Sequence, residues 1–336
     1  MSRRPDGAGE GGSRVKAIVQ RRYGTADVLE FTDVPKPAVR PGEVLVRVRA
    51  SSVTHGDRVV LTGEPYLGRL AFGPVRPRHQ VPGRDVAGTV EEVGRGVTRF
   101  RPGDEVYGEA SFGAYAEWVA VPEDRLAVKP ANLSFEEAAA VPLSGNTALQ
   151  GLRECGRVRP GHKVLINGAS GGVGTFAVQL ARALGAEVTG VCATRNLELV
   201  RSLGADHVVD YTKEDFVRQG RRYDVILDLV ANRTLTELRG ALTPAGTLVL
   251  SSANGGRWIG PLGRTLRALL VSPFVRHGLR AHVATPSRRR LDDLRELIEA
   301  GEVTPAIDRT YPLADVPAAM RYVMEEHARA KVVIAV

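Results

Sequence analysis

The chain has 336 residues, 43% of them hydrophobic, which exceeds most single domains and suffices for two packed cores. No run approaches the roughly 20 apolar residues of a membrane span, and the opening MSRRPDGAGEGGSRVK lacks the apolar stretch of a secretory signal, so a soluble, cytoplasmic protein is the expectation. Two cysteines, Cys155 and Cys192, exclude a disulfide framework and a four-cysteine zinc site.

The net charge of +8, from 46 Lys and Arg against 38 Asp and Glu, raises nucleic acid as a partner. Its source is local: Arg257, Arg264, Arg267, Arg276, Arg280, Arg288, Arg289 and Arg290 fall in a segment, 257–290, that holds no acidic residue. A patch for phosphate, nucleic acid or anionic lipid is one reading, and a solvated face in an arginine-rich protein the other. Aromatic residues do not alternate with these arginines as a base-stacking platform requires, which favours the solvated face.

Residues 1–13, rich in Gly, Arg and Ser, read as a disordered leader. From Val15 onward the alternating runs EVLVRVRAS, GTVEEVG, DEVYG and YAEWVAV, separated by Gly and Pro, predict a compact, mainly antiparallel β unit. Beyond Leu133 strand and helix alternate. The strand KVLING precedes a helix with Val173, Phe176, Ala177, Leu180 and Leu184 on one face. There follow EVTGVCA, the helix NLELVRSLGA, the strands HVVDY and DVILDLV, the helix LTELRGAL and the strand GTLVLSS. This order predicts a doubly wound parallel sheet with crossover helices, an α/β fold. The spacing from Leu262 to Phe274 is helical and suits a lid, a subunit contact or core. LDDLRELIEAG and YPLADVPAAMRYVMEEHARAKVVIAV predict two helices and a final strand.

Between the first strand and helix of that alternation lies Gly168-Ala169-Ser170-Gly171-Gly172-Val173-Gly174, the context a dinucleotide fingerprint requires. Missing Cβ atoms let the backbone approach a pyrophosphate, the helix N-terminus supplies N–H groups, and Gly174 allows helix to pack on strand. Ala169 stands in place of the first glycine, which a slightly wider turn accepts. In an NAD site an acid near the end of the second strand binds the ribose 2′-OH; here Val191 to Arg195 contains none. Thr194 can donate to a 2′-phosphate and Arg195 can pair with its charge, which points to NADPH. The plain alternative is a tight turn followed by residues that merely begin the next helix.

Taken in order, VPGRDVAGTVEEVGRGVTRFRPGDEVYG, AYAEWVAVPEDRLAVKPANLSFEEAAAVPLSGNTALQGL, the glycine loop, DRTYPLADVPAAM and KVVIAV resemble the medium-chain dehydrogenase/reductase superfamily, in particular its zinc-free quinone oxidoreductase branch. The resemblance runs from Val15 to Val336. It implies a Rossmann domain (133–288) inserted in a GroES-like β-rich catalytic domain (14–132 and 289–336), with the cofactor cleft between them and a homodimer as the assembly. It also implies cofactor contacts at Ser170, Gly171, Gly172 and Val173 for the pyrophosphate, and at Thr194, Arg195 and Tyr211 for the 2′-phosphate. Thr147 would line the nicotinamide or phosphate side, and Lys331 lies in a terminal loop that reaches the cofactor in relatives. Ala330 stands where the family pattern has Gly.

Zinc-dependent members of the superfamily carry a Gly-His-Glu triplet where this chain has Gly83, Arg84 and Asp85. Arginine does not ligate a metal, and the first domain contains no cysteine. His55 and His79 are isolated, so no metal is expected. Without a Lewis acid, hydride transfer suits an acceptor that is already electrophilic: a quinone, an enone or an enal. The segment SSVTHGDRVVLTGEPYLG supplies the catalytic candidates Thr54, where the branch has Asn, Asp57 and Tyr66, the last a donor to a carbonyl oxygen. Each also has a structural reading: a helix cap for Asp57, a backbone bond for Thr54, loop packing for Tyr66. Two further functions stay open, an enoyl-thioester reductase and a non-catalytic protein of this fold that binds NADPH or nucleic acid.

Overall fold

The computed structural model describes residues 13–252, 257–260, 262–326 and 328–336; the expected leader lies, but for Ser13, outside the described residues. Arg14–Gln20 (β1) and Leu29–Pro35 (β2) pair as an antiparallel ribbon. Glu43–Val53 (β3) is the spine of the first sheet. Its Val46, Val48 and Ala50 turn inward while Arg47 and Arg49 face solvent, the period-two alternation of a half-buried strand. Asp85–Val93 (β4), Glu105–Glu109 (β5), Trp118–Pro122 (β6) and Leu126–Val128 (β7) complete the N-terminal part of that sheet, with β4 on one side of β3 and β6 on the other.

The second sheet is parallel throughout. Its strands are Lys163–Asn167 (β8), Glu187–Cys192 (β9), His207–Asp210 (β10), Tyr223–Asp228 (β11), Leu242–Leu250 (β12) and Gly278–Ala281 (β13). They lie in the order β10-β9-β8-β11-β12-β13, so the winding reverses beside β8, and the crevice at the C-terminal ends of β8 and β11 is where such sheets bind ligands. The helix Gly172–Ala183 packs its Phe176, Ala177, Leu180 and Ala181 on the sheet, while Val173 and Leu184 rest half-buried at the edge of the same core.

After the helix Arg288–Glu299 the chain returns to the first sheet through Ile307–Pro312 (β14) and Lys331–Ala335 (β15), with β14 parallel to β15 and β15 antiparallel to the C-terminal half of β3. The α/β sheet is thus carried between two parts of a β-rich unit. Just before β15 the chain touches the other sheet's first loop: Ala330 N–H donates to Ser170 O at 2.7 Å, and Gly171 and Ala330 form an isolated bridge. Ala330 sits at φ +52°, a left-handed conformation that costs a residue with a Cβ and suits glycine.

Candidate functional site

The glycine loop is tightly built on one side and open on the other. A Cβ on Gly174 would stand 2.1 Å from Gly168 O, so only glycine lets the helix start this close to the strand. A Cβ on Gly171 would meet nothing nearer than 3.5 Å, leaving a cradle over the first turn of a helix whose initial amides lack intrahelical acceptors. Ala169 is fully buried; its methyl faces Gly190 of β9, where a Cβ would lie 3.0 Å away. Gly190, without a Cβ, leaves the space that the loop's alanine fills. Ser170 Oγ accepts from Asn196 Nδ2 at 3.0 Å, and Asn196 Oδ1 is buried with no hydrogen-bond partner among the described residues. An open cradle and helix-start amides without intrahelical acceptors fit a dinucleotide pyrophosphate.

Thr194, Arg195 and Tyr211 come together where β9 and β10 end, Tyr211 N–H donating to Cys192 O at 3.1 Å. All three are exposed. Arg195 Nη2 donates to Glu326 O at 3.4 Å. Thr194 Oγ1 donates to Asp210 Oδ2 at 2.5 Å, so its one proton is engaged within this corner. Asp210 is the residue that sequence reasoning passed over, although it directly precedes Tyr211 in HVVDY. The hydroxyls of Thr194 and Thr212 hold its carboxyl below the ordinary range, and Lys213 Nζ stands 3.7 Å from it. Lys213 adds a cation to this corner.

On the β-rich side, Asp85 is fully buried at the start of β4. It accepts from Ser52 Oγ, from Leu143 N–H at 2.9 Å and from Lys331 Nζ at 3.2 Å. Lys331, 2% exposed, also donates to Ser144 Oγ at 3.2 Å, and its Cδ lies 3.1 Å from where a Gly172 Cβ would be. Its ammonium is committed beneath the glycine loop, between the two sheets. Neighbouring Glu109 accepts from Asn146 Nδ2 at 2.6 Å and faces Arg84 Nη2 at 3.4 Å. Burial first, then the charge of Asp85, pushes the Glu109 carboxyl above its usual range against the pull of Asn146 and Arg84. Thr147, on the same helix Pro142–Leu149, returns its hydroxyl to Leu143 O at 2.6 Å. Glu109 was hidden because a lone Glu in a β run carries no sign of what faces it, and Asp85 was read only as a member of the Gly83-Arg84-Asp85 triplet.

Thr54 and Asp57 form a capping box at the start of the helix His55–Thr62. Asp57 Oδ2 accepts from Thr54 N–H (2.7 Å), Thr54 Oγ1 (2.8 Å) and Tyr115 OH (3.1 Å), and burial raises its carboxyl. The structure therefore places both in the capping role. Tyr66 sits instead at the cleft's edge. Its ring meets Trp258 edge-on at 5.3 Å, its oxygen accepts from Arg257 Nη2 at 3.1 Å, and Arg257 also pairs with Glu64 at 2.7 Å. These contacts join the first domain to the segment after β12. Across the crevice Asn167 Nδ2 donates to the buried Asp228 Oδ1 at 2.7 Å, tying the ends of β8 and β11. His55 caps no metal-like cluster and His79 stacks on Phe112 at 4.6 Å; among the described residues no three His, Cys, Asp or Glu side chains gather as metal ligands.

Residues 40–131 match a family described as the alcohol dehydrogenase GroES-like domain, and residues 203–334 one described as zinc-binding dehydrogenase. The chain is similar to "NAD(P)H oxidoreductase RTN4IP1, mitochondrial" of Homo sapiens, 36% identical over 353 residues that cover 95% of this chain and 88% of that protein. It is also similar to "NADPH-dependent alkenal/one oxidoreductase, chloroplastic" of Arabidopsis thaliana, 32% identical over 345 residues, 95% of this chain and 79% of that protein. Among solved structures, the quinone oxidoreductase from Coxiella burnetii superposes with a TM-score of 0.83 at 28% identity, covering 96% of this chain and 100% of that one. With the sheet order, the glycine loop and the return of the C-terminus to the first sheet, these likenesses show that the chain belongs to the medium-chain dehydrogenase/reductase superfamily, in its quinone oxidoreductase-like branch.

Proposed function

We propose that the chain is an NADPH-dependent, zinc-independent oxidoreductase that reduces a quinone or an α,β-unsaturated carbonyl. The observation that carries this reading is Arg84: at the triplet position a guanidinium faces Glu109 where a metal ligand would be needed. The names of the relatives, an alkenal/one reductase and a quinone oxidoreductase among them, support the acceptor class. When bound, the nicotinamide cofactor supplies the hydride. The residues at Ser170–Val173 hold the pyrophosphate, and Arg195 and Tyr211, with Lys213 beside them, receive the 2′-phosphate. Tyr66 donates to the acceptor oxygen as negative charge grows there; Arg257 already donates to the Tyr66 oxygen, which leaves the Tyr66 proton for the acceptor. Thr54 and Asp57 position the helix and Tyr115 behind it. A cytoplasmic homodimer belongs to the same reading.

The test uses chelator-treated protein with NADPH or NADH and a panel of quinones, enones and enals. NADPH is expected to be consumed with an acceptor from this panel, and Arg195→Ala to weaken NADPH by about tenfold or more while leaving NADH within about twofold. Activity that vanishes on chelation and returns with zinc overturns the metal-free part. Equal losses for both cofactors overturn the 2′-phosphate part.

A further inference from the structure

The guanidinium of Arg84 is held in place but little used. Before it Gly83 sits at φ +90°, where a Cβ would stand 2.6 Å from the Tyr115 ring, and after it Asp85 is wholly buried and held by Ser52, Leu143 and Lys331. The carbonyl of Arg84 accepts from Ala110 N–H at 2.8 Å, which fixes the backbone between them. Its side chain, 30% exposed, meets one oxygen of Glu109 at 3.4 Å, long for a charge-assisted bond. Among the described residues this is the only hydrogen bond or ion pair of that side chain, so most of the guanidinium's N–H groups remain to be met. The neighbouring carboxyls have other partners. Asp57 accepts from Thr54 and Tyr115, and Glu109 gives its other oxygen to Asn146. Burial raises both carboxyls, which weakens their hold on a cation. Arg84 also stands where the two domains meet. Its charge reaches Asp57 at the start of the helix His55–Thr62 and, through Glu109, Asn146 on the helix Pro142–Leu149. Ser144 Oγ of that second helix lies 3.5 Å from where a Gly172 Cβ would be, beneath the glycine loop.

We propose that Arg84 receives a carboxylate of the acceptor, so that the quinone or enone reduced here is an acid; this rests on the reductase reading above and names its substrate class. A neutral acceptor gains little from a full positive charge in its ground state, whereas the guanidinium fork matches two carboxylate oxygens at once. The reacting carbonyl oxygen has its donor in Tyr66, which leaves Arg84 for a second group. A phosphate ester is the poorer ligand. It calls for more than one cation, and the other buried cation of this junction, Lys331, is already paired with Asp85. With an enone, hydride from the bound cofactor forms the new C–H bond at the β-carbon, the C=C pair shifts to the carbonyl oxygen, and water protonates the α-carbon. The acceptor gains two electrons, the cofactor loses them, and the carboxylate leaves with the product unchanged. Arg84 thus decides which acceptor is bound and takes no part in the transfer.

The probes are para-carboxybenzylideneacetone, an enone whose carboxylate lies away from the reacting bond, and its methyl ester. With NADPH the parent protein is expected to give the acid a kcat/KM at least about tenfold above the ester, an advantage that shrinks as salt rises. Arg84→Met is expected to bring the two within about threefold, chiefly by raising the KM of the acid, and Arg84→Lys to keep part of the preference. Binding of the saturated product acid, followed by calorimetry on protein with NADP+ bound, needs no turnover and should weaken at least about tenfold in Arg84→Met. Thermal melting and NADPH titration separate these losses from loss of fold. Should Arg84→Met fold poorly, Arg84→Met with Glu109→Gln removes the carboxylate left without its cation and is read in the same way. A parent protein that reduces the ester as well as the acid overturns the proposal and leaves the reductase reading standing. So does Arg84→Met slowing acid and ester alike, which assigns the guanidinium to the reacting oxygen. Failure to consume NADPH with either probe or with any neutral quinone or enone removes the reading and the proposal together.

Discussion

At Tyr66 the hydroxyl oxygen accepts from Arg257 while the ring is held against Trp258, so the group is positioned, and its proton has no acceptor among the described residues. Tyr66→Phe keeps the ring contact and removes the hydroxyl, and with it both that proton and the bond from Arg257. It is expected to lower kcat by about tenfold or more with KM changed less than about threefold, because the bond strengthens only as charge develops; steady-state kinetics with a quinone acceptor checks this. Glu109 makes a second prediction. Its carboxyl is raised by burial and by Asp85, so the folded protein keeps this proton to higher pH than the unfolded chain. The stabilising contribution is present below about pH 4 and is lost as pH rises through the folded value. The stability of the parent protein relative to Glu109→Gln should therefore fall with rising pH and then level off, as read from urea midpoints measured stepwise from acid to neutral pH. A flat or rising difference contradicts the assignment. Glu109 did not announce itself in the sequence, whereas Tyr66, in a polar loop, did.

The strand β8, the glycine loop and the helix Gly172–Ala183 form the element that sequence periodicity read most directly. Small residues, an apolar face at helical spacing and a preceding apolar run are all local signals. Gly174→Ala should cost about 2–3 kcal/mol or more, since a methyl 2.1 Å from Gly168 O forces the helix off the strand; denaturant unfolding measures it. Among the strands which that reading did not name are β13 and β14. GLRA and IDRTYP lack an apolar run, and each is a strand because a partner is present, Thr247–Leu250 for β13 and β15 for β14. The helix Leu262–Val271 was legible as a helix, but which way its leucines face was not. An amphipathic pattern fixes a stripe, and only the Arg264–Asp228 pair sets where the stripe points.

Across the whole molecule the two sheets are joined by the C-terminal segment. Lys331 opens β15, stands against Gly172 and pairs with Asp85, both side chains almost wholly buried. Lys331→Met leaves Asp85 with Ser52 and Leu143 but no cation, and should destabilise by about 3–5 kcal/mol. Lys331→Met with Asp85→Asn should recover much of that, because the uncompensated charge goes with it. Calorimetry on both variants tests the pair, and NADPH titration of the double variant asks whether the loop it supports still binds.

Local order decided a good deal in advance: the parallel alternation, the dinucleotide loop, the absence of an acid at the end of β9, and Arg84 at the metal-ligand position. Each depends on residues within a few positions of one another, where chain connectivity does the placing. Packing decided the rest. That Lys331 turns beneath the loop, that Asp210 accepts from the Thr194 hydroxyl, and that Tyr66 meets Trp258 are contacts between residues 16 to 246 positions apart. Such pairings follow from strand order and burial in three dimensions, and no pattern along the chain encodes them.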